Sequence, residues 1–123
     1  NYNFFIEKID LNGDAEINNI IDKKLKKYQK VKNEKKFTIS SSSSYEKLSQ
    51  SKNLSGKTTN YLVIIKIAFE IKGENKVKKF ASTEEFLIKN FTNKFEESKL
   101  EKIKTENSID LIINKLIIEL SQM

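Results

Sequence analysis

The chain has 123 residues, of which 37% are hydrophobic and 33% are charged, a size typical of one domain. It contains no cysteine and no histidine, which excludes a disulfide framework, a thiolate zinc site and the usual base of a Ser-His-Asp triad. The net charge of +6 comes from 23 basic residues, all lysine, against 17 acidic ones. We therefore expect a non-enzymatic domain that uses no cofactor or metal.

The positive charge indicates an anionic partner or surface. An AT-rich coding sequence would also enrich lysine, asparagine and isoleucine, so the charge alone does not identify that partner. The lack of arginine argues against bidentate recognition of phosphates or bases. We expect no nucleic-acid partner, while attraction to anionic lipid headgroups stays open.

The first third of the chain predicts a strand and then an amphipathic helix. Residues 3–11 form the strand, with apolar side chains on both faces at its start. Asn12, Gly13 and Asp14 form a turn, and Asp14 caps the helix. The helix ends near Lys30. Its apolar residues recur at spacings of three and four: Ile17, Ile20, Ile21, Leu25 and Tyr28.

A run of five serines makes the next segment ambiguous. Residues 40–44 are all serine, a composition also found in flexible linkers. Phe37, Ile39 and Tyr45 share one parity, and no glycine or proline lies between them. This pattern predicts that residues 37–45 form a strand. Residues 46–56 are either a polar connection or a ragged continuation of two strands.

The remaining elements are a hairpin and a long helix. Residues 58–72 predict the central strand, because six alternate positions carry large apolar side chains. A turn at residues 72–75 leads to a partner strand over residues 76–91. Val77 and Ala81 are odd there, whereas Phe80, Phe86 and Ile88 are even, so we expect a bulge.

A helix over residues 95–120 closes the chain, with Leu100 and Ile103 as the apolar anchors of its first half. The order β-α-β-β-β-α predicts an α+β, two-layer sandwich over residues 1–123, with a four-stranded mixed sheet and both helices on one face. Leu62 and Ile64 then lie on the opposite face. Either this apolar patch contacts a partner, or residues 46–56 fold over it.

Two motifs carry little functional information. Residues 51–58 (SKNLSGKT) are similar to a phosphate-binding loop, but the first glycine is missing and a strand follows where that motif needs a helix. Neighbouring strand residues point to opposite faces, so Glu84 and Glu85 cannot easily share one site. Both this pair and Glu96–Glu97 are interpreted as solvated charges.

Residues 56–61 (GKTTNY) lead into the strand 62–67 (LVIIKI), and Asn90 and Phe91 lie at the end of the fourth strand. In these stretches the chain resembles the LptE-type lipopolysaccharide-assembly lipoproteins of Gram-negative bacteria. The resemblance implies a lipid anchor upstream of Asn1 and a place on the periplasmic side of the outer membrane. It also implies a role as plug and assembly partner of the LptD β-barrel, with binding of lipopolysaccharide.

The resemblance also indicates candidate site residues. A basic residue before the signature glycine contacts lipopolysaccharide in that family, but the matching position here is Leu54. Lys52 and Lys57 flank it and are the expected contacts for lipopolysaccharide phosphates, as point charges. Leu54, Leu62 and Ile64 are the expected partner interface. The alternative function is a generic periplasmic or surface module that binds another anion, and a nucleic-acid-binding domain is a more distant one.

Overall fold

The computed structural model describes residues 3–123 and has the α+β architecture expected from the sequence. The sheet has four strands in the order β1-β2-β3-β4. β1 is parallel to β2, whereas β2, β3 and β4 form an antiparallel meander. The elements are β1 (Phe5–Gly13), α1 (Ala15–Leu25), a short 3-10 helix (Lys26–Gln29), β2 (Lys36–Lys52), β3 (Thr58–Gly73), β4 (Lys76–Lys89) and α2 (Lys94–Gln122).

The core lies between one face of the sheet and the two helices. Every second residue of β3 is buried from Val63 to Ile71, as expected for a central strand with one covered face. Asp14 caps α1 by accepting a hydrogen bond from the backbone N–H of Ile17 at 2.9 Å, as predicted. We call the sheet face that no helix covers the open face. The helix residues in the core are Ile17, Ile21, Leu25, Ile109, Ile112, Ile113, Leu116 and Leu120.

The bulge lies in β1 and not in β4. The register of β1 against β2 shifts between Ile6 and Lys8, so the inward parity of β1 changes there. Ile6 is buried, and Ile9 and Leu11 beyond the shift also pack against the core. This shift explains why apolar residues of both parities occur in this strand.

The bulge predicted in β4 is wrong. Its register against β3 runs without interruption from Lys76 to Lys89. The even positions, including Phe80 and Phe86, face the helices, and Val77 is 64% exposed on the other side. The odd apolar residues at the start of the strand are therefore surface residues.

The serine run is part of a 17-residue strand. Ser43 connects β2 to the start of α1, because its Oγ accepts from the backbone N–H of Asp14 at 3.1 Å and donates to Asn18 Oδ1 at 3.0 Å. Ser41 faces the same layer opposite Phe69. A small side chain at this position leaves room for the ring of Phe69, which stacks on Phe80 with centroids 6.0 Å apart.

The first half of α2 is anchored differently from the prediction. Leu100 packs against the core, but Ile103 is 55% exposed, so that assignment was wrong. Thr105 and Ser108 are buried instead. Among residues 3–123, no helix is both long enough and apolar enough to cross a membrane.

Candidate functional site

A row of three leucines crosses the open face. Leu48 of β2 pairs with Leu62 of β3, and Leu62 pairs with Leu87 of β4. Directly paired residues place their side chains side by side on the same face of the sheet. Leu48 is 45% exposed, Leu87 is 53% exposed and Leu62 is half-buried between them. We call these three residues the leucine row.

In the next row of paired residues on this face, only the central residue is apolar. Ile64 is half-buried and lies between Glu46 and Glu85 of the neighbouring strands. The segment that could have covered Leu62 and Ile64 does not do so, because β2 continues to Lys52 and its residues pair with β3. The coverage alternative is therefore wrong, and the apolar patch stays open.

Further from the leucine row, the open face has a shallow depression of about 540 Å³. Its floor is made of small residues from three neighbouring strands, among them Ser40, Ser42, Ala68 and Ala81. Because these side chains are short, the sheet surface sinks below the level of its neighbours. The open face thus carries large apolar side chains at one end, in the leucine row, and small side chains in the middle.

The turn between β2 and β3 is built around Asn53. Its Oδ1 accepts from the backbone N–H groups of Ser55 and Lys57, each at 3.0 Å, and Gly56 adopts a positive φ of 84°. With Asn53 held inward by these bonds, Leu54 is fully exposed. Lys52 is also exposed and ends β2, so both predicted lysines flank Leu54 at this tip.

The two motifs that carry the resemblance meet in space. Asn90 donates from Nδ2 to the backbone oxygen of Thr58 at 2.8 Å, and from its backbone N–H to that of Thr59 at 2.9 Å. The hydroxyls of Ser51 and Thr59 lie 2.7 Å apart on the neighbouring strand pair. These contacts fix the base of the hairpin tip, so the signature has a structural role that the sequence did not reveal.

Near the hairpin tip, a charged cluster holds the start of α2 against the sheet face that the helices cover. Glu97 is only 6% exposed. Its carboxylate accepts from the backbone N–H of Phe91 at 2.8 Å and from Nζ of Lys47 and Lys94, each at 3.1 Å. Lys47 also donates to Glu101 at 2.7 Å. The reading of Glu97 as a solvated charge is therefore wrong.

The contacts within this cluster favour the ionised forms of Glu97 and Lys47. Burial by itself would raise the pKa of Glu97, but the bonds from Phe91, Lys47 and Lys94 outweigh it and hold that pKa below its ordinary value. Burial would likewise lower the pKa of Lys47, and Glu101 and Glu97 raise it on balance. The two lysines and the two carboxylates of the cluster balance each other in charge. The cluster therefore acts as a structural clamp that holds the start of α2 against the sheet.

The predicted site residues divide into two groups. Leu62 and Ile64 lie next to each other in the middle of the open face, whereas Leu54 lies with Lys52 and Lys57 at the hairpin tip. Leu48 and Leu87 complete the leucine row and were not predicted from the sequence. Leu48 was assigned to an ambiguous segment, and the parity of Leu87 was hidden by the bulge expected in β4.

No group of three or more acidic residues in residues 3–123 is arranged to hold a metal ion. No protein-family model matches the sequence, and no curated protein matches it either. The comparison with solved structures does give matches over most of the chain.

Three of these solved structures are bacterial lipoproteins or candidate lipoproteins. The rare lipoprotein B from Shewanella oneidensis is 14% identical, with a TM-score of 0.64 over 89% of this chain and 92% of its own. A candidate lipoprotein from Caulobacter crescentus is 10% identical, with a TM-score of 0.56 over 93% and 88%. The uncharacterized lipoprotein B from Nitrosomonas europaea is also 10% identical, with a TM-score of 0.55 over 97% and 85%. At these identities, the comparisons establish a shared fold.

Proposed function

We propose that this chain is a non-enzymatic component of the outer-membrane machinery that transports and assembles lipopolysaccharide. In this role it acts as the plug and assembly partner of an LptD-type β-barrel and binds lipopolysaccharide. A lipid anchor upstream of Asn1 attaches it to the periplasmic side of the outer membrane. The fold shared with three bacterial lipoproteins is consistent with this proposal.

The leucine row is the observation that carries the proposed partner contact. Three leucines side by side on an uncovered sheet face are a costly surface to leave in water. Burying one leucine side chain stabilises a complex by roughly 1.5–3 kcal/mol. Leu48 and Leu87 keep about half of their surface exposed in this chain, so about half of that gain is available to a partner at each of them.

The hairpin tip supports the proposed binding of lipopolysaccharide. Lys52 and Lys57 flank the fully exposed Leu54. Lysine binds phosphate as a point charge, and an exposed leucine can contact acyl chains. One tip therefore offers both chemistries of a phosphorylated glycolipid.

The charged cluster supports the non-enzymatic part of the proposal. Glu97, its most buried carboxylate, already accepts three hydrogen bonds from groups of the chain itself. A general acid or base must be able to exchange a proton with a substrate. Glu97 is committed to holding α2 against the sheet.

Co-purification tests the barrel contact. The tagged full-length protein is isolated from detergent-solubilised outer membrane, and we expect a large β-barrel protein in stoichiometric amount. Leu87→Asp is expected to reduce the recovered barrel at least about tenfold, because it buries a charge in an apolar contact. Leu87 is preferred to Leu62 because it is 53% exposed, so that the variant keeps its fold.

The matched control is Leu111→Asp, since Leu111 is 52% exposed on α2. It is expected to retain the barrel. If wild-type protein recovers only soluble periplasmic proteins, or nothing, the proposed partner is wrong and the generic anion-binding module becomes the better reading.

Binding of purified lipopolysaccharide tests the hairpin tip. The double variant Lys52→Gln and Lys57→Gln is expected to bind about tenfold more weakly, because two charge contacts with phosphate are lost. The control variant, Lys99→Gln with Lys102→Gln on α2, removes the same charge elsewhere. Equal weakening by both variants would show a net-charge effect and contradict a site at the tip.

A further inference from the structure

The net charge of the chain is concentrated at the end of the sheet opposite the hairpin tip. Lys8 pairs with Thr38, Thr38 pairs with Lys72, and Lys72 pairs with Val77. We use the name lysine-rich base for this row together with all residues that lie beyond it, on the side away from the hairpin tip. It consists of residues 3–8, 26–38, 72–77 and 120–123.

The lysine-rich base contains nine lysines and three carboxylates, Glu7, Glu34 and Glu74. The rest of the chain contains fourteen lysines and fourteen carboxylates. Lys8, Lys26 and Lys72 form ion pairs with Asp10, Asp22 and Glu70, which lie just outside these ranges. With those three carboxylates counted as well, about a quarter of the chain still carries an excess of three positive charges at this end. The loop before β2 and the β3–β4 turn are more than thirty residues apart in the sequence. The fold places the lysines of both segments at the same end of the sheet.

Several of these lysines keep their charge available. Lys30, Lys32 and Lys36 are exposed. Within residues 3–123, none of them makes an ion pair or a side-chain hydrogen bond. Lys35 and Lys76, by contrast, donate to backbone oxygens at the end of α2, at 3.1 and 3.3 Å. The unpaired lysines surround the loop between the 3-10 helix and β2.

Two exposed valines distinguish this end from a purely electrostatic patch. Val31 lies between Lys30 and Lys32, and Val77 lies between Lys76 and Lys78. Both valines belong to the lysine-rich base and are 65% and 64% exposed. Apolar side chains among lysines suit an interface where headgroup charges lie above acyl chains. A nucleic-acid backbone would offer the valines no such environment.

We propose that the lysine-rich base docks on a membrane surface of anionic phospholipid. The lysines contact headgroup phosphates, and Val31 and Val77 enter the boundary between headgroups and acyl chains. The described chain begins at this end, since Phe5 pairs with Lys36 at the start of β2. The proposed docking rests on the lysines and the two exposed valines of the base and does not depend on a barrel partner.

Vesicle binding tests the docking surface. The protein is sedimented with vesicles of phosphatidylcholine alone, or of phosphatidylcholine mixed with phosphatidylglycerol, over a range of salt concentrations. We expect binding only to the anionic vesicles, with affinity that falls as salt screens the lysines. Lack of binding to phosphatidylglycerol vesicles at low salt would overturn the proposal.

Charge-neutralising variants locate the surface. The triple variant Lys30→Gln, Lys32→Gln and Lys36→Gln is expected to bind at least about tenfold more weakly. The matched variant Lys89→Gln, Lys99→Gln and Lys102→Gln removes the same charge outside the base and is expected to change binding less than about twofold. Equal losses would show that overall charge, and not the base, attracts the vesicle.

A valine variant separates lipid from other polyanions. Val31→Ser combined with Val77→Ser keeps every charge and is expected to weaken vesicle binding several-fold. Its binding to polyphosphate, which has no apolar phase, is expected to stay unchanged. Wild-type affinity of this variant for vesicles would mean that the base accepts any polyanion, and would overturn the assignment to lipid.

Discussion

Gly13→Ala is expected to lower the free energy of unfolding by about 3 kcal/mol or more. Gly13 ends β1 with a φ of 101°, a conformation that L-residues with a side chain rarely adopt. An added Cβ would lie 2.0 Å from the backbone oxygen of Ser43 and 2.7 Å from its nitrogen. Neither atom can move without breaking the parallel pairing of β1 with β2.

Urea unfolding of Gly13→Ala beside Gly56→Ala measures this effect. Gly56 also has a positive φ, of 84°, but an added Cβ there meets nothing within 4 Å. Gly56→Ala therefore reports the backbone strain alone, about 1–2 kcal/mol. Equal losses in the two variants would contradict the close approach of β1 to Ser43.

Glu97→Ala is expected to cost about 3 kcal/mol, because it removes one partner of a buried charge cluster. The backbone N–H of Phe91 loses its acceptor, and Lys47 and Lys94 lose a carboxylate. The control is Glu96→Ala, one residue earlier on the same turn and exposed. It is expected to change stability by less than about 1 kcal/mol.

The stability contributed by Glu97 depends on pH in a defined direction. Its pKa in the folded chain lies below the ordinary value of 4.5. The contribution is therefore complete above the ordinary pKa and is lost as the pH falls through the lower, folded pKa. The stability gap between wild type and Glu97→Gln should narrow in that acidic range, and a gap that is constant from neutral pH into acid would contradict the clamp.

The sequence was sufficient for the architecture because the strongest patterns are local. Alternation from Val63 to Ile71 identifies the central strand, and the stripe from Ile109 to Leu120 identifies the final helix. The serine run was harder, because serine has no apolar side chain to show its parity. Ser43 belongs in a strand for a tertiary reason, namely its hydrogen bonds to the start of α1.

The misplaced bulge shows where local patterns fail. Val77 and Ala81 looked like core residues, because small or apolar side chains in a strand usually face inward. Their exposure follows from the register with β3, which is set by the whole hairpin. The bulge in β1 depends in the same way on its pairing with β2.

The candidate surfaces depend even more on register and topology. Leu62 was found from its position on the central strand, but Leu48 and Leu87 join it only through strand pairing. The lysine-rich base combines segments that are distant in the sequence. The total charge was visible in the composition, whereas its concentration at one end required the fold.

Site-specific photo-crosslinking in cells is the most direct test of the proposed partner surface. A photoreactive amino acid replaces Leu87 in one variant and Leu111 in another, since the two leucines are 53% and 52% exposed in opposite layers of the fold. Our proposal predicts a crosslink from position 87 to a large outer-membrane β-barrel protein, and none from position 111. A barrel crosslink from position 111 alone, or no barrel crosslink from either, would contradict it.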